Sequence, residues 1–120
     1  MALGLIEVFG FTTAVVVGDA AAKAGNVRII ALDRNKPANA EAAEVPLVMM
    51  VKLEGGVSDV QAALAAGEEE AKKRNMFITS YLIPRPEDST MEFAQINALG
   101  RDKLNQSSMT AENRDSLFQV

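Results

Sequence analysis

The chain has 120 residues, 48% of them apolar and 23% charged, with twelve basic against sixteen acidic side chains for a net charge of -4. That is room for one domain with its own core, and the composition excludes a disordered, collagenous or membrane-spanning chain. Histidine, cysteine and tryptophan are all absent, which removes imidazole and thiolate catalysis, disulfides and the usual zinc sites. The acidic balance speaks against a nucleic-acid partner, which calls for a basic stripe. The opening MALGLIEVFG lacks the pattern of a signal peptide. No apolar run approaches the roughly 20 residues that cross a bilayer, so the expectation is a cytoplasmic domain with no membrane partner.

Leu3 to Phe9 reads as a strand ending at Gly10. From Phe11 to Gly25 the period becomes helical, with Phe11, Ala14, Val15, Gly18, Ala21 and Ala22 on one face and Thr12 or Thr13 near the start. Gly25-Asn26 is a stop of the kind that favours a left-handed residue. Val27 to Asp33 is a second strand. Arg34 to Glu44 (RNKPANAEAAE) is polar and Ala-rich, too weakly patterned for a core element. Val45 to Leu53 is a third, largely buried strand, with Pro46 near its start, where a missing N–H is tolerated.

Glu54-Gly55-Gly56 turns into a second helix, Val57 to about Lys73, with Val57, Val60, Ala63, Leu64, Gly67 and Ala71 as its apolar face. Glu68-Glu69-Glu70 ahead of Lys72-Lys73-Arg74 is a solvated surface with i,i+4 pairs. Asn75 ends that helix, and Met76 to Ile83 is a fourth strand closed by Pro84-Arg85-Pro86. Ser89 with Glu92 makes a capping-box pattern ahead of Met91, Phe93, Ile96 and Leu99, predicting a short third helix. Beyond Gly100 the pattern weakens, and a loosely held tail is expected. The order β-α-β-β-α-β predicts an α+β fold: a four-stranded, mainly antiparallel sheet in ferredoxin-like order, two helices on one face, and a short C-terminal helix and tail.

These landmarks match a family. The ALGLIE opening, Lys23-Ala24-Gly25-Asn26-Val27, the Gly55-Gly56-Val57 helix start and Ile83-Pro84-Arg85-Pro86, in that order over about residues 2 to 90, resemble the single-domain shell proteins of bacterial microcompartments. The resemblance implies a shell domain over residues 1–90, with 91–120 as a C-terminal extension. It implies cyclic homohexamers that tile into sheets beside other shell proteins, with encapsulated enzymes as further partners. It also implies a central pore for small metabolites, formed by the loop between the second and third strands.

Here that loop, Arg34, Asn35, Lys36, Pro37, Ala38, Asn39, Ala40, Glu41, Ala42, Ala43 and Glu44, is long and contains no glycine, unlike the short glycine-rich loop of the family. The resemblance also implies that Lys23 and Arg85 lie along hexamer–hexamer edges; Asn26, next to Lys23, either satisfies the turn locally or joins that contact. An arginine held between two prolines suits such a contact, since its planar fork reaches carbonyls from a stiff backbone.

Other readings remain open on the residues themselves. Lys23 is also explained as a solvated lysine at a helix C-terminus, and Arg85 as a turn arginine. Met49-Met50 reads as core or interface filler, and Glu7, a lone acid in an apolar strand, as facing away from the core by alternation. A small-molecule-sensing regulatory domain of the same strand order is the alternative, though the loop offers few apolar anchors for a ligand. An enzyme is the weakest alternative: no carboxylate pair stands out, and Gly55-Gly56 offers only a helix start. No catalytic residue, cofactor or metal is expected.

Overall fold

Alternation along the strands decides which face of the sheet each side chain takes, and both helices follow from that choice. The computed structural model describes residues 1–35 and 47–96. Its elements are β1 (Ala2–Phe9), α1 (Phe11–Ala24), β2 (Val27–Asn35), β3 (Val48–Gly55), α2 (Val57–Lys73), β4 (Phe77–Ile83) and α3 (Asp88–Ala94). The sheet has the order β2-β3-β1-β4 and all three pairings are antiparallel. This is the α+β architecture expected from the sequence.

On one face Ile6 and Val8 of β1 stand with Met49, Val51 and Leu53 of β3, all fully buried. They join Ala14, Val17 and Ala21 of α1 and Val60, Ala63, Leu64 and Ala71 of α2 in one cluster. Burying that apolar area, at about 25 cal/mol per Å², is the main force holding helices on sheet. The residues between them, Leu5, Glu7 and Lys52, alternate to the other face. Glu7 is half-buried there, between Met50 and Thr79 in register, as alternation predicts.

The α1 face is rotated from the expected one. Its buried residues are Ala14, Val17, Gly18 and Ala21, while Phe11 and Val15 are about half exposed. Three consecutive valines point in three directions on a helix, and the one that packs is the one aligned with the small residues, where α1 can lie close to the sheet. Neither Thr12 nor Thr13 caps the helix; the N-cap is Gly10, at φ 88°, a value that suits glycine. In α2 the expected face is buried except for Val57, at the first helical position, which is exposed.

Boundaries of three elements also move. β2 runs on through Arg34 and Asn35, which pair with Met49 and Val48, because β3 presents partners that far. β3 in turn begins at Val48 and continues through Glu54 and Gly55, expected to turn, since Ala2 and Val27 pair with Gly55 from either side. α3 starts at Asp88 with Glu87 as N-cap and no side-chain cap bond, so the Ser89–Glu92 capping box does not form. Its face differs too: Ala94 is buried and Phe93 is 76% exposed.

Candidate functional site

The expected edge residues begin at the end of α1. Lys23 Nζ lies 2.7 Å from Asp19 Oδ2, one helical turn back, and both side chains are exposed. The hydrogen bond and the charge of Asp19 raise the Lys23 pKa above its ordinary value of 10.5, and the helix C-terminus favours the cation further. The chain then leaves the helix without a left-handed residue. Gly25 is extended, at φ -144° and ψ 157°, which any residue adopts.

The need for glycine at position 25 is one of space. A Cβ there would sit 2.3 Å from the carbonyl oxygen of Asp59, so the first turn of α2 lies directly against the turn. Asp59 closes the contact: its Oδ1 accepts from the Asn26 N–H at 3.1 Å. Asn26 is therefore held by its backbone, and its exposed side chain is left outward.

Register places these residues relative to the rest. Val27 pairs with Gly55, Gly55 with Ala2, and Leu3 with Ile83. The Gly25-Asn26 turn and the Pro84-Arg85-Pro86 corner thus leave the same end of the sheet, from its two outer strands. Three interstrand steps put those corners roughly 14 Å apart, so Lys23 and Asn26 form one cluster and Arg85 stands apart from it. Arg85 is exposed, and among the described residues it has no hydrogen-bond or ion-pair partner.

The connection between β2 and β3 leaves the opposite end, where Asn35 pairs with Val48 and Val48 with Phe9. The Gly10 N–H donates to the Leu47 carbonyl at 2.8 Å and the Phe9 N–H to the Met76 carbonyl at 2.9 Å, which binds the base of that end together. Of the loop residues, Arg34 and Asn35 belong to β2 and Arg34 is exposed. Lys36, Pro37, Ala38, Asn39, Ala40, Glu41, Ala42, Ala43 and Glu44 lie outside the described residues, as do 97–120. Along β3 the two ends of the sheet are roughly 23 Å apart.

Sequence reasoning missed three groups. Asp59 was marked only by being an acid in the first turn of α2. Arg28 and Glu54, opposite each other in β2 and β3, form a pair with Nε to Oε1 at 2.9 Å. Lys52, a lone lysine in an apolar strand, is nearly buried and bonds Asp33 and the Ile96 carbonyl. The charged end of α2 behaves as expected: Lys72–Glu68, Lys73–Glu69 and Arg74–Glu70 pair at 3.7, 3.8 and 3.3 Å. A shallow depression beside it is lined by Ala65, Glu68, Glu69, Lys72 and Lys73, all from one helix, and offers no convergent apolar site for a ligand. Among the described residues no helix is long and apolar enough to cross a membrane.

Comparison with known proteins bears on the family and the fold. The family model described as the BMC domain matches residues 2–86. The bacterial microcompartment shell protein PduK of Citrobacter freundii is 30% identical over 89 residues, 74% of this chain and 52% of PduK. EutK of Salmonella typhimurium, also a bacterial microcompartment shell protein, is 35% identical over 89 residues, 74% of this chain and 49% of EutK. The carboxysome shell protein CcmK1 of Thermosynechococcus vestitus is 31% identical over 91 residues, 74% of this chain and 73% of CcmK1. The chain thus spans about half the length of PduK and EutK. A microcompartment protein of Desulfitobacterium hafniense, known from its crystal structure, superposes with a TM-score of 0.61 at 32% identity, covering 73% of this chain and 45% of that one.

Proposed function

The chain belongs to the BMC domain family of microcompartment shell proteins, and from that premise we propose that it is a structural tile forming cyclic homohexamers with a central pore. Residues 1–90 are the shell domain in this reading and 91–120 an extension carried by it. The loop from Arg34 to Glu44 lines the axis, while Lys23, Asn26 and Arg85 line the outer edge, where hexamers meet one another and other shell proteins. The pore passes small metabolites to enzymes enclosed by the shell. The work is assembly and selective passage rather than bond-making.

One observation carries this reading. The β2–β3 connection and the Lys23, Asn26 and Arg85 positions leave opposite ends of one rigid sheet, roughly 23 Å apart. A tile in a ring needs that polarity: one end at the axis and the other at the rim. In a closed ring each axial side chain is repeated by symmetry, so a single charge becomes a ring of charge, and passage follows the sign and size of that ring. Exposed Phe11, Val15 and Val57 add apolar area that a neighbouring subunit would cover.

Analytical ultracentrifugation of the full chain, with electron microscopy of the same sample, tests the proposal. Six-membered rings with a central hole are expected. A monodisperse monomer at high protein concentration overturns it.

A further inference from the structure

Lysine is almost never buried without a partner, because the charged amine loses its hydration. Lys52 sits in the middle of β3 with only 9% of its surface exposed, between Ala31 and Leu5 in register, neither of which can solvate it. Its Nζ finds two acceptors, Asp33 Oδ2 at 3.3 Å and the backbone carbonyl of Ile96 at 2.9 Å. Asp33 stands two residues before Asn35, where the 36–46 connection begins. Ile96 is the residue from which the chain continues into 97–120. One side chain therefore joins Asp33, just before the 36–46 connection, to Ile96, just before 97–120.

α3 needs that tie. Seven residues are too few for a helix to be stable alone, and Ala94 is its only buried residue, so apolar packing holds it weakly. Its last carbonyls have no partners within the helix, and that end favours a positive charge. The Gln95 and Ile96 amides fold back onto the Glu92 and Phe93 carbonyls at 3.2 and 3.1 Å, turning the Ile96 carbonyl free to meet Lys52. Because Lys52 alternates away from Val51 and Leu53, which face the long helices, this contact lies on the opposite face of the sheet.

We propose that Lys52 is a positioning residue that fixes the exit of the C-terminal extension on the sheet face opposite α1 and α2, beside the base of the β2–β3 connection. The side from which the extension leaves is then set within each chain, by a charge-assisted bond, rather than by any partner. The inference holds for a single chain. If the ring forms as proposed, every extension leaves from the same side of the tile.

Hydrogen exchange followed by mass spectrometry on the full-length protein tests it. In Lys52→Met, which keeps an apolar stem of similar shape, the Met91, Gln95 and Ile96 amides should exchange about tenfold faster, the factor a lost charge-assisted hydrogen bond carries. The Ile6 and Val51 amides of the sheet should not change. Asp33→Asn, which leaves the Ile96 acceptor in place, should move the same three amides in the same direction by less, and it serves alone if Lys52→Met fails to fold. Unchanged α3 exchange, or acceleration equal to that of Ile6 and Val51, overturns the proposal. Ultracentrifugation of the same samples reports on the ring separately, so loss of the hexamer and loss of the tie are distinguished.

Discussion

Asn26 and Asp59 are 33 positions apart in sequence and meet through one bond, the Asn26 N–H donating to Asp59 Oδ1 at 3.1 Å. The contact fastens the exit of α1 to the entry of α2, and so sets where Lys23 and the side chain of Asn26 stand. The bond is exposed, which limits its worth to about 1 kcal/mol, with a smaller share from the acid at the α2 N-terminus. Asp59→Ala should lower stability by about that amount in urea unfolding, with the m-value unchanged. Asp59→Asn keeps the acceptor and should recover most of the loss. An alanine variant as stable as the parent would show that the contact is incidental.

Two glycines of α1 and its exit should respond to alanine with opposite signs. At Gly25 a Cβ would be 2.3 Å from the Asp59 carbonyl oxygen, which is backbone and cannot rotate away. Gly25→Ala should therefore destabilise by about 1–3 kcal/mol, the usual cost of overpacking. At Gly18 the nearest atoms to a Cβ are Val51 Cγ1 at 3.8 Å and Ile29 Cδ1 at 3.9 Å, ordinary contact distances. Gly18→Ala should stabilise by about 0.5–1 kcal/mol, from the lower entropy of the unfolded chain and better helix propensity. Thermal melting of both variants, moving in the same direction, would contradict this account.

The position of Gly25 shows why the fold was more legible than its details. Helix period in Val60, Ala63, Leu64, Gly67 and Ala71 and apolar runs in the strands are local signals, and they placed α2 within its exact bounds. The reason for Gly25 is the approach of Asp59, which no local pattern encodes. Gly25-Asn26 reads as a left-handed stop, yet Gly25 is extended, and among the described non-glycine residues the positive φ belongs to Asn75, at 56°. The rotated face of α1 has the same origin: Val15 and Val17 are equally apolar, and only the sheet beneath distinguishes them. An edge role for Lys23, Asn26 and Arg85 is a proposal that rests on the resemblance; register adds that these positions stand at one end of the sheet while the β2–β3 connection leaves the other.

Stability at high pH should depend on Asp19. The folded-state pKa of Lys23 is raised, first by its hydrogen bond to Asp19 and then by the carboxylate charge. A raised folded value means that the pair contributes in full below the ordinary lysine value, 10.5, and that the contribution fades as pH rises through the higher folded value. Asp19→Asn should flatten that alkaline loss. The effect is small, since both groups are exposed and screened by solvent and salt. Urea midpoints compared between parent and variant above about pH 10 would show parallel curves if the pair carried no stability.

Arg85 is the sharpest test of the proposed rim. Its guanidinium is exposed and, among the described residues, unpaired within its own chain, while Pro84 and Pro86 restrict the backbone that carries it. A group held ready and unengaged in the single chain is suited to a partner's carbonyls, which it can meet with a planar fork. It also lies at the end of the sheet opposite to Asn35 and Val48, and no packing in the core depends on it. Arg85→Ala should therefore leave the melting temperature and the hexamer unchanged while weakening the lateral tiling of hexamers. If the ring forms and tiles as proposed, electron microscopy should find isolated rings in place of the sheets expected of the parent. Sheets of unchanged extent would remove Arg85 from the rim, and loss of the hexamer itself would move it to the contacts within the ring.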